Sequence, residues 1–447
     1  MAGSGYTTRL AAVFFTAALL GAAIMQPEAG RRYLEKASRV AAIADGGPMA
    51  ARPCAIGEPA LAGPFAPLED VLSVSPLGGV TAPGEPLPAP YIRINTRTGA
   101  AEGRSAFQRR ATTALAPAKA DIVAIERRIE RDAEGRAAAQ SWTVHFSACE
   151  NVSFYYDRLD SLDEDLIARA GGLGAFAELG GPDHIALETR VRVQAGDAVG
   201  AADGFDVGLH DAGASPAALA RPERYRRNPY ARAAVFNAAP SLVAAITPET
   251  AQARCALDYL PQDERAAWES KLGDSWGLRR AKGENACRTA LLDTPGAAQG
   301  AWFTDASHNA ATTRVSAIAL AADAVDPDRL IFALHGRLTS LTPDLVGLAP
   351  MMEAERAAAA KDFLSFKRGD GRINAAFGNV RDGGVYCYER MRANFVGPLI
   401  NGVILLKRDA DGDAPGILTI EARGDVLSCI DLEEPWAFTG NETTFYR

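Results

Sequence analysis

The stretch "VRVQAGDAVGAADGFDVGLHD", Val191 to Asp211, reads as two short β-strands around a Gly-rich turn. Valines at alternate positions suit a pleated strand, Gly196-Asp197 suits a tight turn, and Phe205 and Val207 stand two apart, on one face of the second strand. Working outward, the chain from Tyr91 to about Ala214 is β-rich, with candidate strands at Asp121 to Glu130, Ser141 to Ala148, Ala186 to Val193 and Phe205 to Asp211. One helix is marked inside it: Ser161 and Glu164 have the spacing of a capping box ahead of Leu162, Leu166, Ile167 and Ala170.

Two further stretches stand in order with the first. "LAPAKADIVAIE" (Leu115 to Glu126) is an Ala-Pro entry into a long strand, and "FYYDRLDSL" (Phe154 to Leu162) lies between the two. Together the three resemble the core of the lysostaphin-like zinc metallopeptidases, peptidoglycan endopeptidases of bacterial envelopes, over about 120 residues. The resemblance implies a lipoyl-like, duplicated hybrid motif β-sandwich. It also implies zinc held by a His and an Asp before the Ala-Pro strand and by the second His of a His-x-His strand, with a His of a Tyr-x-His-Leu segment assisting the water. This chain departs from each. No histidine precedes His145, the Tyr-x-His-Leu segment reads Tyr156-Asp157-Arg158-Leu159, and the His-x-His strand reads Phe205-Asp206-Val207. Phenylalanine and valine offer zinc no ligand, and arginine stays cationic, so it neither ligates a metal nor acts as a general base. The expectation is a degenerate member in which Phe205 and Val207 line the former cleft, Arg158 approaches it and pairs with a carboxylate such as Asp157 or Asp206, and neither metal nor other cofactor is used. The other reading keeps a hydrolase of peptidoglycan peptides, with zinc on His145, His184 and His210.

Composition bounds the partners. The 447 residues are 48% hydrophobic and 23% charged with a net charge of -8, the make-up of a globular chain with no overall cationic surface for nucleic acid or anionic membrane. The basic runs "ERRIERD" (Glu126 to Asp132) and "RPERYRR" (Arg221 to Arg227) read as solvated surface. At the N-terminus Arg9 precedes the apolar run Leu10 to Met25, shorter than the roughly 20 residues of a transmembrane helix and of the length of a signal-peptide core. Residues 1–28 are therefore expected to be a signal peptide or N-terminal anchor and the rest extracytoplasmic: periplasmic, secreted or anchored. Export makes disulfides of the six cysteines, none of which stands in a Cys-x-x-Cys pair. Nearness favours Cys255 with Cys287 and Cys387 with Cys429, which leaves Cys54 with Cys149.

The remaining organisation follows from local signals. Residues 29–90 are a Pro/Gly/Ala-rich lead-in, 91–214 the peptidase-like β domain, 215–300 a Cys-containing helical segment and 301–447 a C-terminal β-rich domain. In the helical segment Thr247-Pro248 and Pro261 mark helix starts, the second running to Gly273; "MMEAERAAAAKDFL" (351–364) is a further helix candidate. The fold class is thus mainly β with α. "DTPGAAQGAWF" (Asp293 to Phe303) supplies a candidate ligand cleft, with Asp293, Gln299 and Trp302 as the amide and ring of a sugar or peptide site. The same residues also suit a Pro-Gly turn leading to a core tryptophan. The expected function is an exported, non-catalytic binding or scaffold module of a bacterial cell envelope. Its expected partner is a cell-wall component or an envelope protein, with membrane contact only through the N-terminal segment.

Overall fold

The computed structural model describes residues 53–54, 59–80, 88–98, 109–132, 134–178, 181–215, 219–221, 224, 252–283, 286–287, 293–307, 317–335, 362–393, 395, 399–411 and 414–447. The N-terminal apolar run, the Thr247-Pro248 start and most of "MMEAERAAAAKDFL" lie outside them.

The chain is mainly β, in antiparallel sheets. Its first half contributes, in chain order, β1 (Val71–Ser75), β2 (Ile92–Thr96), β3 (Thr112–Leu115), β4 (Ala120–Arg131), β5 (Ala137–Ser147), β6 (Val152–Leu159), β7 (Ser161–Leu162), helix α1 (Glu164–Arg169), β8 (Ala177–Glu178), β9 (His184–Val193), β10 (Ala198–Ala202), β11 (Gly204–Asp211), β12 (Ala253–Arg254) and helix α2 (Gln262–Glu269). The large sheet has the order β1-β2-β11-β6-β5-β4-β9-β8, with β12 also on β11; β3, β10 and β7 form a small sheet.

The opening stretch is the corner between them. β9 pairs with β4 in the large sheet, whereas β10 pairs with β3 and β7 in the small one. The turn between them is closed by Gln194 N donating to Asp197 Oδ2 at 2.8 Å, with Gly196 at φ +91°. After Gly204 (φ +150°) the chain returns to the large sheet as β11, between β2 and β6. The space between the sheets is apolar. Val144, Phe146, Phe154, Tyr156, Phe205, Val207 and Leu209 point into it from the large sheet and Ala114, Leu162, Val199 and Ala202 from the small one. Phe146 stacks on Phe154 at 4.4 Å, and Tyr156 Oη crosses the gap to donate to Leu115 O at 2.6 Å.

The second half forms β13 (Gly300–Phe303), β14 (Ala317–Ala322), β15 (Arg329–His335), β16 (Asp362–Lys367), β17 (Val385–Tyr388), β18 (Arg392–Ala393), β19 (Val403–Asp411), β20 (Ala414–Arg423) and β21 (Thr443–Tyr446). Their order is β17-β19-β20-β21-β13-β14-β15-β16-β18. β16 and β17 stand near opposite ends of that order, yet Phe366 and Tyr388 meet edge to face at 5.4 Å. The sheet is therefore curled around a core that includes Trp302, Phe332, Phe377, Leu406 and Phe445. Phe303 and Ala317 belong to the core of the first half, and Lys282 N donates to Val325 O at 2.9 Å, so the halves share packing.

Three disulfides join Cys54 to Cys149, Cys255 to Cys287 and Cys387 to Cys429. They are bonds of an oxidising compartment.

Local signals were overridden in four places. The α1 cap is Asp163, whose carboxylate accepts from Leu166 N at 3.1 Å; Ser161 is drawn instead into β7, opposite Ala201, because burying Leu162 against the small sheet outweighs a one-residue gain in helix. α2 starts after Pro261 as expected but ends at Glu269, short of Gly273. The lead-in supplies β1, an edge strand of the large sheet, with Leu61, Phe65, Val71 and Val74 fully buried in its core. Asp362, Phe363 and Leu364, read as the end of an Ala-rich helix, begin β16, where Leu364 and Phe366 fill the second core.

Candidate functional site

Inward pointing of alternate residues puts the others on the opposite face of the large sheet, and there polar groups are gathered. Two rows cross the strands. Arg93 on β2 faces Asp206 on β11, which faces Asp157 on β6; Thr143 on β5 and Glu126 on β4 complete this row. In the next row Gly208, Tyr155, His145, Ala124 and Glu188 stand side by side. A bulge makes the first row unusual: Asp157 and Arg158 together oppose Thr143, the register slipping between Trp142 and Val144, and Arg158 takes φ +65°.

Contacts within the rows are short. Thr143 Oγ1 donates to Asp157 Oδ1 at 2.7 Å, and Arg93 Nη1 reaches Asp206 Oδ1 at 2.9 Å. The Glu126 side chain is 0% exposed, with His184 Nε2 at 2.6 Å and Arg128 Nε at 2.5 Å, both on Oε1. Burial alone would raise this carboxyl, but the His184 hydrogen bond and the Arg128 cation outweigh it and hold the group below the ordinary carboxylate range. His145 is buried beside it; desolvation drives its imidazole down to about 4, against the pull of Glu126 and Asp157, so it is neutral at neutral pH. Tyr155 lies between two histidines, 5.8 Å from the His145 ring and 6.3 Å from that of His210. Its ring runs over Gly208, where an added Cβ would meet Tyr155 Cε1 at 2.0 Å. Gly208 is therefore what lets the ring lie flat.

This face gathers charge and rings without assembling a metal site. His145 and His210 stand on β5 and β11 with β6 between them, and the Tyr155 ring packs against both of theirs. His184 is committed to Glu126 and Asp183 to Arg131, at 2.5 Å. Among the described residues no group of three His, Cys, Asp or Glu is arranged to hold a metal. On this face the Glu126 carboxylate is paired with Arg128 and His184, and the Thr143 hydroxyl donates to Asp157.

Phe205, Val207 and Arg158, the positions expected at a degenerate cleft, lie elsewhere. Phe205 and Val207 are 0% exposed and sit in the core between the sheets, Phe205 at 5.1 Å from the Tyr156 ring. They line packing, not a cleft. Arg158 is on the other side, exposed at the bulge; its backbone amide donates to Asp157 Oδ1 at 2.9 Å, and Asp206 is paired with Arg93 instead. Strand alternation separates them: residues of β11 that face the core cannot meet an outward bulge residue of β6.

Asp293, Gln299 and Trp302 are brought together, around Arg447. The Asp293 carboxylate is 2.8 Å from Arg447 Nε, and both side chains are buried, at 0% and 3% exposure. The Arg447 guanidinium donates to the carbonyls of Thr294, Ala297 and Gln299 and lies over the Trp302 ring at 4.1 Å; Trp302 Nε1 donates to Ala298 O. Asp293 Oδ2 accepts from Arg221 N at 3.0 Å. The ring is fully buried, so its faces are occupied from within the chain.

Sequence reasoning missed Glu126, Arg128 and Arg93, and gave Asp206 the wrong arginine as its partner. "ERRIERD" reads as solvated surface, yet Glu126 is its most buried residue, because period-two alternation sets it on the same face as Thr143. That alternation, applied to β4 and β5 together, was the available signal. Comparison with family models, with curated proteins and with solved structures found no match to this chain.

Proposed function

We propose that this chain is an exported, non-catalytic binding or scaffold module of a bacterial cell envelope, whose first half descends from the duplicated hybrid motif of the peptidoglycan endopeptidases. The observation that carries the reading is the position of Phe205 and Val207: two apolar side chains, fully buried against Tyr156, at the places where that family holds its histidines. Those side chains offer zinc no ligand. Export is supported by the disulfides, which tie both halves. Recognition of a cell-wall component or an envelope protein falls to the polar face of the large sheet, where Arg93, Arg128, Tyr155, Asp157 and His184 are partly exposed around a buried frame.

The test is metal analysis of the purified protein together with co-sedimentation with, and digestion of, isolated peptidoglycan. The expected result is sedimentation without release of peptide fragments and no stoichiometric zinc. One equivalent of tightly bound zinc, lost when His145, His184 or His210 is changed to Ala, would replace this reading with that of a hydrolase.

A further inference from the structure

At the β1 edge of the large sheet, where Ser73 Oγ donates to Asp274 O at 2.7 Å, the segment after α2 makes a tight turn with an apolar tip. Asp274 Oδ1 accepts from Trp276 N at 3.2 Å and Leu278 N at 2.8 Å, Gly277 N donates to Asp274 O at 3.0 Å, and Asp274 N donates to Arg279 O at 3.0 Å. Gly277 takes φ +67° and a Cβ on Gly273 would stand 2.3 Å from Arg279 O, so the turn needs both glycines. The locked turn displays Trp276 at 52% and Leu278 at 84% exposure. Single exposed leucines are ordinary, but an exposed Trp and Leu side by side on a fixed turn are a presented apolar tip.

The ground around the tip is cationic, although the chain as a whole is at -8. Arg109 bonds Thr96 O at 2.9 Å and Ser275 O at 2.5 Å and holds its guanidinium 5.1 Å from the Trp276 ring. Arg110 N donates to Arg97 O, which places a third arginine beside them. On the other flank Arg280 bonds Ser270 O and Lys271 bonds Val71 O. Lys271 titrates lower than usual through burial and then through the nearness of Arg97 and Arg280, a sign that these three cations share one patch. The acids at its border are Asp274, paired with Arg279 and held by the turn, Asp70, which accepts from the Thr112 hydroxyl, and Asp203, whose charge acts on Arg109.

We propose that this turn docks the protein on an anionic bilayer, with Trp276 and Leu278 entering the interface and Arg97, Arg110, Lys271 and Arg280 contacting the headgroups. An amphipathic ring beside cations is what a bilayer surface holds, the indole at the headgroup level and the cations on acidic lipid. Charge complementarity selects the occupant: a neutral apolar protein partner would leave four cations facing it, whereas an acidic lipid surface meets the apolar tip and the charge together.

Full-length protein is mixed with vesicles of phosphatidylcholine alone and of phosphatidylcholine with equimolar phosphatidylglycerol, and binding is read by flotation. The expected result is binding to the anionic vesicles that weakens at high salt. It drops at least tenfold in Trp276→Ala/Leu278→Ala and in Arg97→Glu/Lys271→Glu/Arg280→Glu, with unchanged circular dichroism. Because the N-terminal apolar run is common to all variants, a second readout isolates the tip: brominated phosphatidylglycerol should quench part of the tryptophan emission, and Trp276→Phe, which stays bound, should lose that part. Equal binding of the tip variants, or quenching unaltered in Trp276→Phe, overturns the proposal. So does binding to a soluble polyanion without quenching, which would assign the patch to an acidic polymer.

Discussion

Glu126 in the first half and Asp293 in the second are both carboxylates with 0% exposed side chains, and the molecule treats them in opposite ways. Asp293 is met by Arg447, itself buried, whose remaining donors are spent on three carbonyls and whose flat face lies on Trp302. Glu126 is met by Arg128 at 44% and His184 at 21% side-chain exposure, partners that reach water. The first arrangement is a closed tie between the 293–303 segment and the end of β21. The second is a buried charge whose two partners reach the solvent. Burial of a charge therefore says little by itself; the exposure of its partner decides whether the group is structural or available.

The largest effect tests the closed tie. Arg447→Ala leaves Asp293 buried with its cation removed, and the expected loss is about 3–5 kcal/mol of stability, read by chemical denaturation with the disulfides intact. A loss under about 1 kcal/mol would mean that Asp293 reaches water and that the contrast with Glu126 does not hold.

A smaller effect belongs to the polar face and depends on pH. The folded pKa of His145 is about 4 against an ordinary 6.5. Protons therefore bind the unfolded chain first, and stability falls as pH drops from about 6.5 to about 4, then levels, by roughly 3 kcal/mol in total. His145→Gln should flatten this part of the profile, and an unchanged slope would remove His145 from the buried set. Glu126 has the other sign of origin: its depressed pKa adds stability that is present above the ordinary carboxylate range and lost as pH falls through the folded value.

Glu126→Gln comes next, with an expected cost of about 1–2 kcal/mol, below that of Arg447→Ala because Arg128 and His184 turn to water when released. Equal costs in the two variants would erase the distinction drawn above. The smallest change is at the bulge. Arg158→Gly removes a left-handed residue with a side chain already in solvent and should gain up to about 1 kcal/mol, without altering metal content or the position of Phe205 and Val207.

Much of the frame was legible in the chain. The strand stretches at Asp121, Ser141, Ala186 and Phe205 match β4, β5, β9 and β11 to within a few residues, since period-two alternation is a local property. Pro261 opened α2 for the same kind of reason. Local signals failed where a distant surface competed for the residues: Ser161 was a sound cap until β10 offered Leu162 a core, and Val71 to Ser75 looked like lead-in until β2 paired with it.

The sequence by itself determined the mainly β class, an even set of cysteines and the absence of a metal-ligating side chain at Arg158, Phe205 and Val207, because each is a matter of residue type or of spacing along one strand. Only the tertiary structure decided where those residues face. Pairing registers set Phe205 and Val207 into the core, turned Arg158 outward at a bulge, separated His145 from His210 by a full strand and brought Arg447 onto Asp293 from 154 positions away. The physical reason is that a strand's two faces are equivalent until a second sheet covers one of them, and nothing in a single strand records which face that will be.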